Sequence, residues 1–285
     1  MKSYCVIGWS LIAAHIAAAM LLAPQGWSVA EAALLASGYL ALIWLISGLY
    51  VANVLHLGIA HRALEFRSWF IKTITVLNGV AGIYVDPRAW VNRHRHHHAF
   101  SDHEGDPSKH AEDGFWKTLY LCLVPYPCKA ELSNDKIFDS RTMRAVCHPA
   151  FGIVSQLSSF GLLWLAVLDA MFAFGLWLGV RLVALWVNMI QNFWSHDRRF
   201  GSRIYPQDTD NAVNITEWLP VTATFSACLQ NNHHHHPRFA RMSHDESQFD
   251  FGLLSVRFMQ AIGLVRALPE GRQIPEGVTL THIGL

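Results

Sequence analysis

Trp90-Val91-Asn92-Arg93-His94-Arg95-His96-His97-His98-Ala99-Phe100-Ser101-Asp102 carries four histidines within five positions. On a helix, His94, His97 and His98 fall at i, i+3 and i+4, which puts three imidazoles on one face. Neutral imidazole is the commonest metal ligand and suits iron, copper, nickel and zinc. His96 points elsewhere on the same helix and is expected at the periphery or the surface. The alternative is a solvated basic run that touches phosphate. A formal net charge of +1 argues against a wider basic field and against nucleic acid as a partner.

The surrounding chain is apolar. Of its 285 residues, 52% are hydrophobic and 15% are charged, against roughly 25% charged in an average soluble domain. The mean hydropathy is +0.22. These values point to a membrane protein. Cys5, Cys122, Cys128, Cys147 and Cys228 show no CxxC and no zinc spacing, so they read as reduced thiols. The anomaly is the 17 histidines, most of them in three short clusters.

Residues 5–23 and 32–55 are apolar runs separated by a short linker, and each is long enough to cross a hydrocarbon core of about 30 Å. The first exceeds the usual apolar length of a cleaved signal, so it reads as a retained span. His15 within it reads as an interhelical contact. Residues 69–85 are broken by Lys72, Asn78, Gly79 and Gly82 and read as interfacial or re-entrant. Residues 101–148 are polar. Further spans are expected at 150–168 and 172–194. The fold class is therefore an all-α integral membrane protein. It has four transmembrane helices in two hairpins and a helical cap, formed by 56–148 and 195–285, within a single domain over 1–285. The loops at 24–31 and around Asp169 lack Lys and Arg, whereas Arg62, Arg67, Arg93, Arg95, Arg141, Arg144, Arg198 and Arg199 lie on the other side. By the positive-inside rule, both termini and all histidine clusters are cytoplasmic. Arg181, inside the fourth span, is expected to pair with Asp169 or to snorkel outward.

Two further clusters accompany the first. His56-Leu57-Gly58-Ile59-Ala60-His61-Arg62 ends the second span. Five positions on a straight α-helix separate two side chains by about 140°, so His56 and His61 either straddle a metal pair or need local unwinding. The other cluster is Gln230-Asn231-Asn232-His233-His234-His235-His236-Pro237. Its internal position argues against an affinity tag. Asn192 and His196, at i and i+4, close the fourth span.

Together these boxes resemble the membrane-bound fatty acid desaturases, in their acyl-CoA and acyl-lipid Δ9 branch. His56…His61, His94…His97-His98 and Gln230…His233-His234 occupy the family's three histidine boxes in order. Trp90 precedes the second box, and Ser101, Asp102, Asp106 and Pro107 trail it as in the family. Asn192…His196 matches its N-x-x-x-H element, and Pro237 follows the third box. The likeness covers roughly residues 40–240. It implies two irons held by His56, His61, His94, His97, His98, His196, His233 and His234, with Asn192 acting through a water. Gln230 stands where many members have histidine; the iron there loses a nitrogen, takes the amide oxygen, or recruits His235 or His236. An alternative register that starts from His61-Arg62 puts Phe66 on a ligand and misplaces Trp69. The resemblance further implies O2 as co-substrate, an acyl substrate, and removal of two hydrogens from an unactivated C–H pair. No acid–base side chain can do that.

Asp102, Asp106 and Glu217 are candidate acceptors for ligand N–H groups, or plain solvated carboxylates and caps. Trp90, Trp194 and Trp218 are candidates for lining an apolar tunnel, or simply packing residues. Lys109, Lys117, Lys129 and Lys136 read as a solvated face able to meet a phosphate. The chain has no haem-domain HPGG and no GxGxxG. Electrons are therefore expected from a separate ferredoxin, rubredoxin or cytochrome b5 type donor. The rivals are a hydroxylase or acetylenase on the same scaffold, and a membrane metal transporter or store. A transporter would place ligands inside the spans. The expected setting is a bacterial inner membrane.

Overall fold

The computed structural model describes residues 2–107, 109–124 and 131–266. Cys128, Lys129 and the chain beyond residue 266 lie outside the described residues. The elements, in order, are α1 (Ser3–Leu21), α2 (Val29–Gly48), a π-helix (Leu49–Ala60), α3 (Ser68–Val80), α4 (Pro87–Phe100), α5 (His110–Leu123), α6 (Arg141–Val146), α7 (Pro149–Val167), α8 (Ala170–Asn192), α9 (Trp218–Ala223), α10 (Gln230–His235) and α11 (Phe251–Ala261). No strand occurs among the described residues, only isolated bridges.

Four helices are long and apolar enough to cross a membrane: Ser3–Leu21, Val29–Ala60, Pro149–Val167 and Ala170–His196. They lie where the apolar runs put them, but the second continues past residue 55 because the π-helix extends it. Local chemistry sets their ends. Ser28 and Glu31 form a reciprocal capping box at the start of α2. Pro149 opens α7. Asp169 caps α8 by accepting from the Phe172 amide at 2.8 Å.

α1 packs against both α2 and α8, and α7 against α8. Small residues allow the close approach: Ala19, Ala32, Ala36 and Ala173 are buried with Leu176 and Phe172 in one cluster. At Gly8 a Cβ would stand 2.2 Å from the Trp186 ring, so only glycine admits α8 there. His15 is buried and its Nε2 meets the Ala36 carbonyl at 3.1 Å, the interhelical contact expected of it. Among the described residues, Arg181 does not pair with Asp169. Its guanidinium lies 3.7 Å over Trp177 and donates to Gln156 Oε1 and Ser159 Oγ of α7. Those partners are uncharged, whereas Asp169 caps its own helix.

α3 covers the weaker apolar stretch and lies against α7, where Ser155 donates to the Gly79 carbonyl and Phe151 packs over Gly79. The 101–148 region is less uniformly polar than its composition indicates. α5 exposes Trp116, Tyr120 and Leu123 at helical spacing. A separate core joins the π-helix to α4 and α11 through Tyr50, Val54, Leu57, Val91, Val256 and Met259.

Candidate metal centre

Eight histidines converge in two groups. His56, His61, His94, His98 and His233 form one, and His97, His196 and His234 the other, with ligand atoms within 4.8 Å of one another in each group. These are the eight histidines expected from the sequence. The structure adds how they divide.

The π-helix answers the His56–His61 spacing. In a π turn the hydrogen bond runs i→i+5, so residues five apart stack on one face. The His61 amide donates to the His56 carbonyl at 3.0 Å, and both imidazoles enter the same group. Arg95 closes the end of this helix. Its fork donates to the Ile59, Ala60 and Leu132 carbonyls at 2.6–3.0 Å and to Asp135 at 2.7 Å. The α4 residue between His94 and His97 thus anchors the segment that carries His56 and His61.

α4 serves both groups. Asp86 caps it and Pro87 occupies its first turn. His94 and His98, four apart, face the five-histidine group, and Trp90, one turn earlier, stacks on His94 at 4.8 Å. His97 turns to the other group. His96 is buried rather than exposed, with its ring stacked on Phe100, and belongs to neither group. α10 repeats the division, with His233 in the first group and His234 in the second.

α10 has only six residues, so its placement needs outside support. Fully buried Asn231 brackets the Tyr205 backbone from both sides, accepting at 2.8 Å and donating at 3.1 Å. Fully buried Asn232 donates to the Met242 carbonyl and Gln248 Oε1 and accepts from Asn214. The two asparagines of the third box are scaffold.

Three carboxylates orient the three-histidine group. Nδ1 of His97 meets Asp106 at 2.9 Å, that of His196 meets Asp102 at 3.0 Å, and that of His234 meets Asp210 at 2.9 Å. Each pairing fixes the tautomer that carries its proton on Nδ1 and a lone pair on Nε2, and Nε2 of His234 is buried without a partner. Asp102 and Asp106 are thus the acceptors expected of them. Glu217 is not, because it is drawn off to the Tyr4 hydroxyl at 2.7 Å and to Lys2 at 3.0 Å near the chain start. Asp210 had no signal in the sequence, since it sits in an irregular loop with no spacing to a box.

Burial sets the protonation states. Desolvation first, and neighbouring histidines second, push His61, His94, His98, His233 and His234 well below the ordinary histidine value. These rings are neutral at physiological pH, the form that binds metal. In the five-histidine group Nε2 of His61 approaches Nε2 of His94 at 2.7 Å, and Nε2 of His56 approaches that of His233 at 2.8 Å. Lone-pair nitrogens brought this close fit a shared cation between them. Burial alone would raise the Asp102 carboxyl, but His196 outweighs it and brings the pKa down to about 2.

Gln230 is 5% exposed. Its amide nitrogen donates to the Ala227 carbonyl at 2.7 Å, while its Oε1 is buried with no partner. Gln230 and His234 lie four apart on α10, hence on one face. The spare histidines are engaged elsewhere. His235 stacks on Tyr205 at 3.8 Å and meets Asp208 at 3.0 Å, and His236 packs on Phe239. α8 ends at Asn192, whose amide donates to the Asn188 carbonyl at 2.8 Å. His196 follows in a separate 3-10 turn. Asn192 and His196 therefore do not share a continuous helical face.

Of the aromatic residues expected near a tunnel, Trp90 borders the five-histidine group. Trp194 packs on Tyr4 and Phe115, and Trp218 is 62% exposed. Lys109 and Lys117 pair with Glu112 and Asp113 within α5's first turns. An open cleft of about 410 Å3 reaches His61 past Arg62, Arg95 and Arg238.

Comparison with known proteins places these features in context. A model of the fatty acid desaturase family matches residues 32–246. The chain is 27% identical over 229 residues to Delta-9 acyl-lipid desaturase 1 of Arabidopsis thaliana, covering 78% of this chain and 72% of that protein. It is 26% identical over 260 residues to an sn-1 stearoyl-lipid 9-desaturase of Anabaena variabilis, 88% of each. It is also 26% identical over 249 residues to a hex-5-enoyl-[acyl-carrier protein] acetylenase of Moorena producens, 80% of this chain and 75% of that protein.

Proposed function

Since the chain belongs to the fatty acid desaturase family, an integral-membrane oxidoreductase family, we propose that it uses two irons and O2 to introduce a double bond into an acyl chain. One observation carries the reading: eight buried or half-buried histidines gathered into two groups in a chain with four long apolar helices. His56, His61, His94, His98 and His233 would hold one iron. His97, His196 and His234 would hold the other, with Gln230 Oε1 in the place left vacant and Asn192 acting through a water. The donor set suits the metals, since the imidazoles are neutral and the orphaned Gln230 oxygen and His234 nitrogen lack any other partner.

When bound, the irons supply the O2 activation and hydrogen removal that no side chain can perform. The protein's residues do the rest. Asp102, Asp106 and Asp210 hold the Nδ1 protons of His196, His97 and His234. The Trp90 ring excludes water from His94. Arg95 and the π-helix fix the first box against the second.

The whole chain acts as one unit in this account. Its histidines and both termini face the cytoplasm of a bacterial inner membrane, and a separate ferredoxin, rubredoxin or cytochrome b5 type protein supplies electrons. The acyl group is carried by lipid, CoA or carrier protein. The acetylenase relative, about as similar as the desaturases, favours a second reading in which the same scaffold makes a triple bond or a hydroxylated product.

The test is to feed an expressing host isotopically labelled saturated fatty acids and analyse its acyl chains by mass spectrometry. The account predicts labelled chains two hydrogens lighter, absent with His234→Ala. Labelled chains identical in both strains would overturn it, and a gain of oxygen would select the hydroxylase reading.

A further inference from the structure

The two histidine groups differ in more than nitrogen count. Every histidine of the three-membered group meets a carboxylate through Nδ1: His97 with Asp106, His196 with Asp102 and His234 with Asp210. Among the described residues, no carboxylate hydrogen-bonds to His56, His61, His94, His98 or His233; their ring nitrogens approach one another, and Nδ1 of His233 is buried with no partner. The carboxylate side chains are 0–11% exposed, so water screens them little.

The backbone is bent to bring two of them in. Asp102 holds a left-handed conformation at φ 61°, which non-glycine residues rarely adopt, and its amide donates to Asp106 Oδ2 at 2.6 Å. The same Asp102 Oδ2 that meets His196 also accepts from the Asn211 amide at 2.9 Å. Arg203 stands 3.5 Å from Asp210, but most of its donors go to backbone carbonyls.

We propose that Asp102, Asp106 and Asp210 make the two metal positions unequal, so that in a pair holding one ferric and one ferrous ion the ferric ion sits in the three-histidine position. This rests on the di-iron reading above. A carboxylate that accepts the Nδ1 proton makes the imidazole more basic and adds negative charge next to the cation, and both favour the higher charge. The unpaired Gln230 oxygen, a harder donor than imidazole, works the same way. Adding one electron to the diferric pair then reduces the iron among His56, His61, His94, His98 and His233 first.

The test uses iron-loaded, detergent-purified full-length protein. It is titrated with dithionite to one electron per chain, each electron converting one ferric ion to ferrous, and frozen for Mössbauer spectroscopy. The expected spectrum has separate ferric and ferrous components in equal amounts. Asp102→Asn and Asp210→Asn keep a hydrogen-bond acceptor but remove the charge. In samples reconstituted to two irons per chain, each should alter the ferric component and lower the formation constant of the mixed-valence state by roughly tenfold. A valence-averaged spectrum, or variants with a wild-type ferric component, overturns the proposal and leaves the di-iron reading standing. Fewer than two irons in the wild type overturns that reading and the proposal with it. Should either variant fail to fold, the wild-type spectrum still decides, through separate or averaged valences.

Discussion

The His61 amide donates to the carbonyl of His56, five residues back, at 3.0 Å. This one π-type bond lets two histidines that would diverge on an α-helix face a common point. The helix is therefore part of the geometry of the proposed metal centre. Deleting Gly58 should let the segment relax toward α-helical spacing and swing His56 away from His61. The expected outcome is iron content falling from about two per chain to about one, with the helical content unchanged by circular dichroism. Two irons retained after the deletion would contradict the role given to the π-helix.

Arg95 should matter through its shape as much as its charge. Lysine cannot reproduce a fork that reaches the Ile59, Ala60 and Leu132 carbonyls and Asp135 together. Arg95→Lys is expected to weaken iron binding in the five-histidine group by roughly 10–100-fold, the range seen when a ligand's supporting partner is lost. Competition with a graded series of chelators measures it.

Gln230→Ala should weaken the three-histidine iron less than His234→Ala does, since an amide oxygen is a poorer donor than imidazole. Gln230→His should bind that iron at least as well as the wild type. Chelator competition on all three variants distinguishes them. Wild-type affinity in the alanine variant would remove Gln230 from the ligand set.

Acid should release the metals and then loosen the fold. His61, His94, His98, His233 and His234 have folded-state values pushed below 6.5 by burial, so below that pH the unfolded chain takes up protons that the folded chain refuses. Their contribution is intact above 6.5 and is lost as the pH falls beneath it. Each costs up to about 1.4 kcal/mol per pH unit. The midpoint of thermal unfolding of the metal-free protein in detergent is expected to drop steeply below pH 6.5. A flat profile between pH 6.5 and 5 would contradict the burial of these rings.

Much of this was legible in the sequence, for physical reasons. Spans of about 20 apolar residues report local structure, so the four membrane helices could be found by counting, whereas the eight histidines that converge came from the resemblance of the three boxes to a family pattern. What could not be read depends on contacts between distant segments. The split of His97 from His94 and His98, and of His233 from His234, follows from how α4 and α10 lie between two centres. Asp210 and Arg95 gain their roles from tertiary contact alone. The partners of Arg181, namely Gln156, Ser159 and Trp177, are uncharged and so gave no signal in the sequence. Of the two readings open for Glu217, the acceptor role fails because Tyr4 and Lys2, far away in sequence, take its carboxylate.

The most direct check on the central claim is the iron count of detergent-purified protein after anaerobic iron reconstitution, in the wild type, His97→Ala and His15→Ala. The account predicts about two irons per chain in the wild type and about one in His97→Ala. His15→Ala should keep both irons while losing about 1–3 kcal/mol of stability with its contact to Ala36. Two irons retained in His97→Ala, or zinc held in place of iron after reconstitution of the wild type, would contradict it.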